Sequence, residues 1–568
     1  MPIKEMLPLE YNILSESDFY HFGVFDRTKF KATDVMKTIR NLIMGEKFIF
    51  NKAMNSILSI LLKDIIKKRL LYQDWFEEYC KGVEISSEEL AKHFLILEIL
   101  TGISKWIPTI PSFMLGCSGL FCSGENSNNR SIHGRILDFP ILNAYQENER
   151  IVTYRLQNYP QIWSLSMAGN PYPSITSMTS EGITFALHMK YGDTFNKNGY
   201  LIFEIILKIL LESRNIEDVL KIIKLYPSIS TWGLYMTFAN GEMLSVDLDG
   251  DKFYYQREFL KNNNFVYVNN LHIEQNESAK LKNLLPIGNK NYCEMRRESA
   301  FEKINQGKEQ EQEQEQEKEK EKEKEIEMLK ILGNPLIKLA SDASEWKINT
   351  ITTVSIQLLT MNAIKGEVYF VAGKFPKMLF EKVYIYNNIW DKNNRNVQVK
   401  QIKNSYYHQF DPQVVRSYRN GFIHLAKAQF AFEQKELQTA YHSIQLAIEY
   451  FDQFEEKYIA SFYFFVFQYI HDDKKKNLAL LLQSFKDIKN KVPSFLQNHV
   501  KLFIFRIEML LNGNSVIHAD DFEDLYFKKL YTFERKLPKF AIGFLKKMTY
   551  PQIATMDVFY AYFRSSSY

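Results

Sequence analysis

The sequence predicts an α+β protein in which a strand-rich middle part is flanked by helical parts at both ends. Three observations predict it. Glycine (23) and proline (16) are scarce in a chain of 568 residues, which favours long elements and much helix. Short apolar runs bounded by Gly, Asn and Pro are concentrated in the middle of the chain. These runs are segregated from the helical patterns instead of alternating with them, which argues against a β–α–β array.

The chain is long for one domain, and its character changes twice along its length. We expect a helical N-terminal region over residues 1–112, a strand-rich domain over 113–395 and a helical C-terminal domain over 396–568. A run of Glu alternating with Gln or Lys near 308–327 interrupts the middle domain. Its composition predicts a solvated helical or disordered insertion in which nothing is buried.

In the N-terminal region, Phe30–Ile43 and Asn51–Leu71 carry apolar residues three and four positions apart, which predicts helices. A buried helix is expected over Ala91–Ser104, followed by an extended crossing that contains Pro108 and Pro111. These prolines interrupt the most apolar stretch of the chain, so we expect no stable membrane span.

The middle domain opens with strand-like runs over Phe113–Lys190. Two helices are predicted next, over Tyr200–Ser213 and Asn215–Leu225, with acids in the first turn of the second. Further strands follow, joined by an Asn-Gly turn at 240–241 and an Asp-Gly turn at 249–250. A last pair of strands closes the domain.

The C-terminal domain is predicted to be helical from about Asp411 to the end of the chain. Tyr418–Phe432 and Leu437–Phe451 form a predicted helical hairpin, with alanines where the two helices would touch. The hairpin is similar to a tetratricopeptide unit, although no 34-residue period is present. The pattern fits a helical-repeat module that binds a protein partner and, equally well, a plain helical bundle.

Composition argues against several classes of function. Lys and Arg (71) nearly balance Asp and Glu (67), so the net charge of +4 does not suggest a nucleic-acid partner. Four cysteines without a Cys-x-x-Cys pair predict neither a disulfide scaffold nor a zinc site, and no cofactor is implied. The first residues hold no unbroken apolar segment of the kind found in secretion signals, so a cytoplasmic location is expected.

The residues that carry chemistry lie in two runs, Gly116–Gly119 (GCSG) and His133–Phe139 (HGRILDF). A hairpin between the runs would pair them antiparallel and bring Cys117 beside Arg135 and Asp138. Arg135 would favour the thiolate of Cys117, and Asp138 would hold an amine. Taken alone, Cys117 fits a buried core thiol, and its companions are what favour a nucleophile.

This pattern resembles that of the N-terminal-nucleophile cysteine hydrolases, which include the choloylglycine hydrolases, acid ceramidase, N-acylethanolamine acid amidase and the isopenicillin-N acyltransferases. In that family a Cys-Thr or Cys-Ser start is followed by His-Gly-Arg-Asn-x-Asp, and Cys117-Ser118 and His133–Asp138 stand at those places. The segment FVYVNNLH resembles the one that carries an oxyanion-hole Asn, which puts that residue at Asn270. The similarity covers about residues 113–385.

The resemblance implies a four-layer αββα sandwich and a hydrolase of linear amide C–N bonds. In the family the chain is cut immediately before the Cys, and the freed α-amine, with a pKa near ~7.7–8.0, takes the thiol proton. Cys117 would then attack a small-molecule N-acyl amide, with Arg135, Asp138 and Asn270 completing the catalytic set. An acyltransferase of the same mechanism and a non-catalytic descendant that acts as a scaffold are the alternatives.

Some positions depart from the family pattern or leave it ambiguous. Ile136 stands where the family has Asn. His188 stands where the bile-salt branch has a second oxyanion Asn, which makes it a candidate substrate-binding donor. The Arg that comes late in the family site is either Arg296 or Arg297, and both are candidate substrate-binding residues. His133 is expected to pack within its strand.

Overall fold

A computed structural model gives the fold. It describes residues 7–32, 34–35, 37, 70–102, 116–123, 131–139, 142–173, 175–260, 264–273, 287–314, 324–335, 337, 339, 349–373, 375–379, 382–402, 410–554 and 556–560. The chain divides into two compact units. The first unit comprises Met1–Leu285, Arg296–Pro335 and Val354–Lys403, and the second comprises Pro286–Met295, Leu336–Thr353 and Asn404–Tyr568.

The first unit holds two large sheets. In spatial order, the first sheet consists of β1 (Leu9–Ile13), β4 (Glu149–Tyr154), β5 (Ile162–Met167), β6 (Thr176–Thr179), β7 (Thr184–Met189), β8 (Thr231–Thr237), β9 (Glu242–Asp249) and β10 (Lys252–Phe259). β1 pairs with β4 in parallel, and the other neighbours are antiparallel. The turns after β8 and β9 place Gly241 and Gly250 at φ of 85° and 67°, as Asn-Gly and Asp-Gly hairpins require.

The second sheet is antiparallel. In spatial order it consists of β11 (Val266–Val268), β2 (Cys117–Ser123), β3 (Ser131–Asp138), β12 (Ser355–Asn362), β13 (Glu367–Phe370), β14 (Lys382–Asn387) and β15 (Asn396–Gln401). Both predicted strands of the chemistry-bearing segment are present, and its predicted turn lies outside the described residues.

Helices accompany these sheets. Those that lie wholly or partly in the first unit are α1 (Asp18–Lys29), α2 (Gln73–Val83), α3 (Ser87–Gly102), α4 (Leu142–Gln146), α5 (Ile202–Glu212), α6 (Ile216–Leu225), α7 (Ile287–Gln314) and α8 (Lys324–Gly333). The side chain of Asn215 caps α6 by accepting from the Asp218 N–H, which explains why the predicted helix begins there.

The layers follow the order helix, sheet, sheet, helix, so the architecture is the predicted α+β sandwich. Trp163 and Leu165 of the first sheet share one buried cluster with Leu359 and Phe370 of the second, which shows that the sheets pack face to face. On the outer faces, α3 packs on β8 and α8 packs on β3 and β12. Strands covered on both faces are buried along their whole length, as β2 and β3 are.

The second unit is mainly helical. Its helices are α9 (Pro412–Glu433), α10 (Leu437–Tyr450), α11 (Glu456–His471), α12 (Lys475–Ile488), α13 (Ser494–Asn512), α14 (Leu525–Glu534) and α15 (Lys539–Lys547), with a 3-10 helix at Ala519–Asp521. The predicted helical hairpin is formed by α9 and α10, and Ala440 and Ala447 are buried in it. No helix within the described residues is long and apolar enough to cross a membrane.

Both ends of the chain contain strands that helical periodicity did not predict. β1 lies in the N-terminal region and extends the first sheet beside β4, where backbone pairing and not an apolar stripe holds it. A hairpin of β16 (Thr549–Gln552) and β17 (Asp557–Tyr560) corrects the expectation of helix to the end. The predicted helix Asn51–Leu71 lies almost entirely outside the described residues, and so does most of Phe30–Ile43.

The Glu-rich run is helical up to Gln314 and again from Lys324, where the structure describes it. The expectation that nothing in this run is buried was wrong. Lys324 and Glu325 begin α8 and are 5% and 3% exposed. Glu325 accepts from Asn362 and pairs with Lys365, so its charge is compensated within the sandwich.

Candidate active site

The pairing of β2 with β3 places the predicted nucleophile. Cys117 opposes Leu137 in the antiparallel register, and the Asp138 N–H donates to the Gly116 carbonyl over 2.9 Å. Because strand residues alternate in direction, Cys117 and Arg135 both point toward the first sheet, where both contact the Leu187 carbonyl. The juxtaposition expected from antiparallel pairing is therefore observed.

The thiol of Cys117 is buried, with 2% of the residue exposed. Arg135 Nη2 lies 3.9 Å from its Sγ atom. Burial raises the pKa of the Cys117 thiol, and the opposing effect of the Arg135 charge is smaller. In the uncut chain Cys117 is thus a neutral thiol, because the Arg135 charge lowers the thiol pKa, in the expected direction, by less than burial raises it.

Arg135 keeps part of its hydrogen-bonding capacity unused. Its Nη2 donates to the Leu187 carbonyl over 2.7 Å. Its Nε and Nη1 atoms are buried and have no hydrogen-bond partner among the described residues. A buried cation with spare donors beside Cys117 is suited to stabilise negative charge that develops there.

Asn270 contacts the backbone of the nucleophile. Its Oδ1 accepts from the Cys117 N–H over 2.6 Å, and its Nδ2 donates to the Met189 carbonyl over 2.8 Å. Only the oxygen of an amide can accept from an N–H, so these contacts fix the orientation of the side chain. In the uncut chain Asn270 therefore holds the Cys117 nitrogen, and its own donor is occupied by Met189.

The two candidate arginines have different environments. Arg296 is fully buried on α7, where Nη1 lies 3.0 Å from Asp138 Oδ2 and Nη2 lies 3.3 Å from Asn270 Oδ1. Arg297 is exposed, and its guanidinium lies over the ring of Phe301. Successive helix residues point about 100° apart, so only one of the pair reaches the site, and it is Arg296.

Gly116 is the residue against which Arg296 packs. A β-carbon at Gly116 would collide with the Arg296 guanidinium, so only glycine leaves room for this arrangement. Glycine at position 116 is therefore required for the contact with Arg296.

His188 lies between the two sheets and is not among the described residues that line the pocket at Cys117, although its neighbours Leu187 and Met189 are. The contact of His133 with Thr184 shows that the face of β7 that carries Thr184 and His188 meets the second sheet. His188 is fully buried there, with Nδ1 3.4 Å from the Asn269 carbonyl and its ring against Tyr235. Burial lowers its pKa well below the ordinary range, so it is a neutral side chain within the sandwich.

His133 packs within its strand, as expected. Its ring lies 4.3 Å from the ring of Phe121, and its Nδ1 pairs with Thr184 Oγ1 at 2.9 Å.

An apolar pocket opens beside Cys117. Apart from Cys117 and Asp138, its described lining is aliphatic or aromatic and is drawn from both sheets and from α3 and α5. The apolar lining residues are Leu97, Leu137, Phe139, Tyr145, Met167, Ile175, Leu187, Met189, Phe203, Trp232 and Ile356. A pocket of this kind suits an apolar group of a ligand whose reacting atom lies at Cys117.

A buried ionic network that sequence reasoning missed supports the segment of Asn270. Lys190 Nζ lies 3.3 Å from Asp247 Oδ1 and donates to the Leu271 carbonyl. Asp247 Oδ2 accepts from the Ile273 N–H over 2.8 Å and pairs with His272 Nδ1 at 3.1 Å. In the sequence, Lys190 stands at the end of one apolar run and Asp247 stands within another. This pattern does not reveal that the two side chains meet.

The network also keeps Asp247 ionised. Although burial opposes it, the charges of Lys190 and His272 lower the pKa of Asp247 to about 2. Among the described residues, no group of three His, Cys, Asp or Glu side chains is placed to hold a metal ion.

Comparison with known proteins found similar structures only. No family model matches the chain, and no curated protein matches it. An N-acylethanolamine-hydrolyzing acid amidase ortholog from Caenorhabditis elegans is similar at 13% identity with a TM-score of 0.28, over 44% of this chain and 93% of that one. A conjugated bile acid hydrolase from Clostridium perfringens is similar at 10% identity with a TM-score of 0.30, over 50% and 97%.

A penicillin V acylase from Agrobacterium tumefaciens is similar at 11% identity with a TM-score of 0.27, over 50% of this chain and 90% of that one. The matched part is at most half of this chain.

Proposed function

We propose that this chain is a hydrolase of N-acyl amides that first cuts itself between Gly116 and Cys117. The observation that supports it is the way that this one peptide bond is held. Asp138 donates to the carbonyl of Gly116, and Asn270 accepts from the N–H of Cys117. The guanidinium of Arg296 lies against the same peptide. The nucleophile, an oxyanion donor and a contact to the leaving nitrogen thus converge on one bond.

The cut would proceed by an N-to-S acyl shift. The Sγ atom of Cys117 adds to the carbonyl carbon of Gly116. The oxygen, now negative, keeps accepting the hydrogen bond from the Asp138 N–H. The C–N bond then breaks, and the nitrogen takes the proton that the thiol has lost. Water hydrolyses the thioester, which leaves a carboxylate on Gly116 and a free amine and thiol on Cys117.

The neutral thiol explains why the cut would be needed. Burial keeps Cys117 protonated in the uncut chain in spite of Arg135, so repeated attack on a separate substrate needs a base in contact with the thiol. The attack on Gly116 happens once and within the chain, and the thiol proton passes to the nitrogen of the same residue. The cut creates that base as the α-amine of Cys117, held by Asn270 Oδ1 where the amide N–H is held now. Self-cleavage and activation are then the same event.

Hydrolysis of a substrate would use the same atoms. The α-amine takes the thiol proton, Sγ attacks the amide carbonyl of the substrate, and the spare donors of Arg135 stabilise the developing charge. The amine product leaves with a proton from the α-amine, and water then releases the acyl group from Cys117. The acyl group occupies the apolar pocket, so substrates with an apolar acyl group are expected.

The segment before the cut is expected to stay bound. Asp26 of α1 accepts two hydrogen bonds from Arg150 of β4, at 2.7 and 2.8 Å, and both side chains are fully buried. Glu98 of α3 accepts from the Ile202 N–H at the start of α5 and from Trp232 of β8. Loss of the N-terminal piece would leave Arg150, which lies within the sheet, without the carboxylate that compensates its charge, and breaking such a buried pair is costly.

Activity with matched cysteine variants tests the proposal. Wild-type protein is incubated with N-acyl amides of increasing acyl length, and a covalent acyl adduct is sought by intact mass. We expect hydrolysis and an adduct that maps to Cys117, neither of which Cys117→Ala retains. Cys122→Ala is the matched control, because Cys122 lies on the same strand and contacts Met328. Equal activity of Cys117→Ala and wild type would contradict the proposal.

A further inference from the structure

The last helix of the second unit has two apolar faces. On one face of α15, Ile542 and Leu545 are 0% and 8% exposed, and the helix packs there on α11 and α13. On the other face, Phe540 and Phe544 are 80% and 63% exposed, and Met548 follows at 40%. Residues four apart lie on the same side of a helix, so these three form one outward apolar stripe.

Cations surround this stripe. Lys536, Lys539 and Lys547 are exposed on α15 or immediately before it. Between residues 525 and 548 the sequence holds seven Lys or Arg and one Asp or Glu, a net charge of 7 − 1 = +6, against +4 for the whole chain. The single acid, Glu534, is fully buried and pairs with Arg506, and Lys546 is buried and pairs with Asp473, so neither of the two contributes to the outward charge.

We propose that this basic–aromatic surface, defined by Lys536, Lys539, Phe540, Phe544, Lys547 and Met548, binds the face of an anionic lipid bilayer. Phenylalanine and methionine side chains that protrude from a surface helix insert at the level of the headgroups, and lysines beside them contact lipid phosphates. Exposed large apolar side chains that lie together mark an interaction surface and are not ordinary in a monomer.

The positive charge of the basic–aromatic surface favours an anionic bilayer over a second copy of the chain. A two-fold dimer through α15 would bring the same surface of each copy together, so lysines would face lysines. An anionic bilayer complements the lysines and accepts the aromatic side chains in the same contact. The helix would lie in the plane of the interface, with Ile542 and Leu545 still packed on the rest of its unit.

Vesicle binding by the full-length protein tests the proposal. Sedimentation is compared between phosphatidylcholine vesicles and vesicles that also contain about 30 mol% phosphatidylserine. We expect binding to the anionic vesicles only, weakened tenfold or more when NaCl rises from about 0.1 M to about 0.5 M. Phe540→Ser with Phe544→Ser should lower the affinity by more than about tenfold. Each Lys→Gln change at positions 536, 539 and 547 should lower it about fivefold.

Val516→Ser is the matched control, because Val516 is 71% exposed and lies outside the surface. It should bind as wild type does. Both Phe residues are exposed, so their replacement should leave the circular dichroism spectrum unchanged. Failure to bind anionic vesicles would overturn the proposal, as would equal binding of the double Phe variant. Binding to a polyglutamate matrix without binding to vesicles would show an acidic protein partner instead. A concentration-dependent dimer that the double Phe variant loses would show a second copy.

Discussion

The guanidinium of Arg296 lies where a β-carbon on residue 116 would have to be, so Gly116 and Arg296 are matched by shape. The same guanidinium contacts Asp138 Oδ2 at 3.0 Å and Asn270 Oδ1 at 3.3 Å. One side chain therefore connects the residue before the proposed cut with the two residues that hold its peptide groups. This relationship gives the first prediction.

Gly116→Ala should yield a folded chain that is cut much more slowly. The added methyl displaces Arg296, and with it the contacts to Asp138 and Asn270 that align the peptide. Cutting should slow by roughly 10²-fold, the usual effect of losing one contact at a developing charge. Denaturing gels over time give the rate. Gly543→Ala is the control, because a β-carbon there meets only Leu510 at 3.9 Å. Equal rates of cutting in both variants would show that Arg296 does not align the peptide before Cys117.

Asn270→Ala should lower turnover by ~10²-fold or more and leave the fold intact. The variant removes the acceptor that holds the Cys117 nitrogen, both as an amide and as the α-amine. Steady-state kinetics on any N-acyl amide that the wild type hydrolyses measures the effect. Asn269→Ala is the neighbouring control, since the Asn269 side chain accepts from the Leu271 N–H. If the two variants behave alike, Asn270 has no special role.

Iodoacetamide should modify Cys117 in cut protein and leave it nearly unmodified in uncut protein. Burial raises the pKa of the thiol above its ordinary value, so the reactive thiolate is scarce at neutral pH until the α-amine exists. Cys80 is the internal control, because burial raises its pKa to about 12. Peptide mass mapping after short exposure gives the labelled fraction at each cysteine. Fast labelling of Cys117 in an uncut variant would contradict this mechanism.

Asp247→Asn should destabilise the protein near neutral pH and lose this effect in acid. The pKa of Asp247 is lowered to about 2 by Lys190 and His272, so its contribution is present above the ordinary pKa of an aspartate. The contribution is lost as the pH falls toward 2. By linkage it amounts to roughly 2 kcal/mol at pH 7.

Urea unfolding of wild type and variant at pH 7, 5, 4 and 3 tests the linkage. The difference between their midpoints should be constant from pH 7 to 5 and shrink at pH 4 and below. A difference that does not change with pH would show that Asp247 acts through shape alone. Kinetics at pH 7 should also reveal a lower turnover number with a nearly unchanged KM, because the network positions Asn270 and does not touch substrate.

Short-range sequence patterns predicted the strands and turns that depend on neighbouring residues. Alternating short runs identified the strands, and Asn-Gly and Asp-Gly turns identified two hairpins. The pairing of Cys117 with the strand of Arg135 followed from one short hairpin. By contrast, β1 pairs with a strand far along the chain, and no periodicity of its own marks that partner.

The site was harder to predict wherever two distant segments meet. The choice between Arg296 and Arg297 depends on the rotation of α7, which sequence order does not give. The orientation of His188 depends on which face of β7 meets the second sheet. The balance of burial against the Arg135 charge at Cys117 is a property of the packed sandwich, so only the structure reveals it.

The intact mass of the purified, active wild-type protein under denaturing conditions tests the central claim most directly. A cut before Cys117 predicts a chain of 116 residues and one of 568 − 116 = 452 residues that begins at Cys117. Both should elute together in native gel filtration, and Cys117→Ala should give one species of full length. Active wild-type protein that consists of a single uncut chain would contradict the account, because Cys117 would then have no free amine to act as its base.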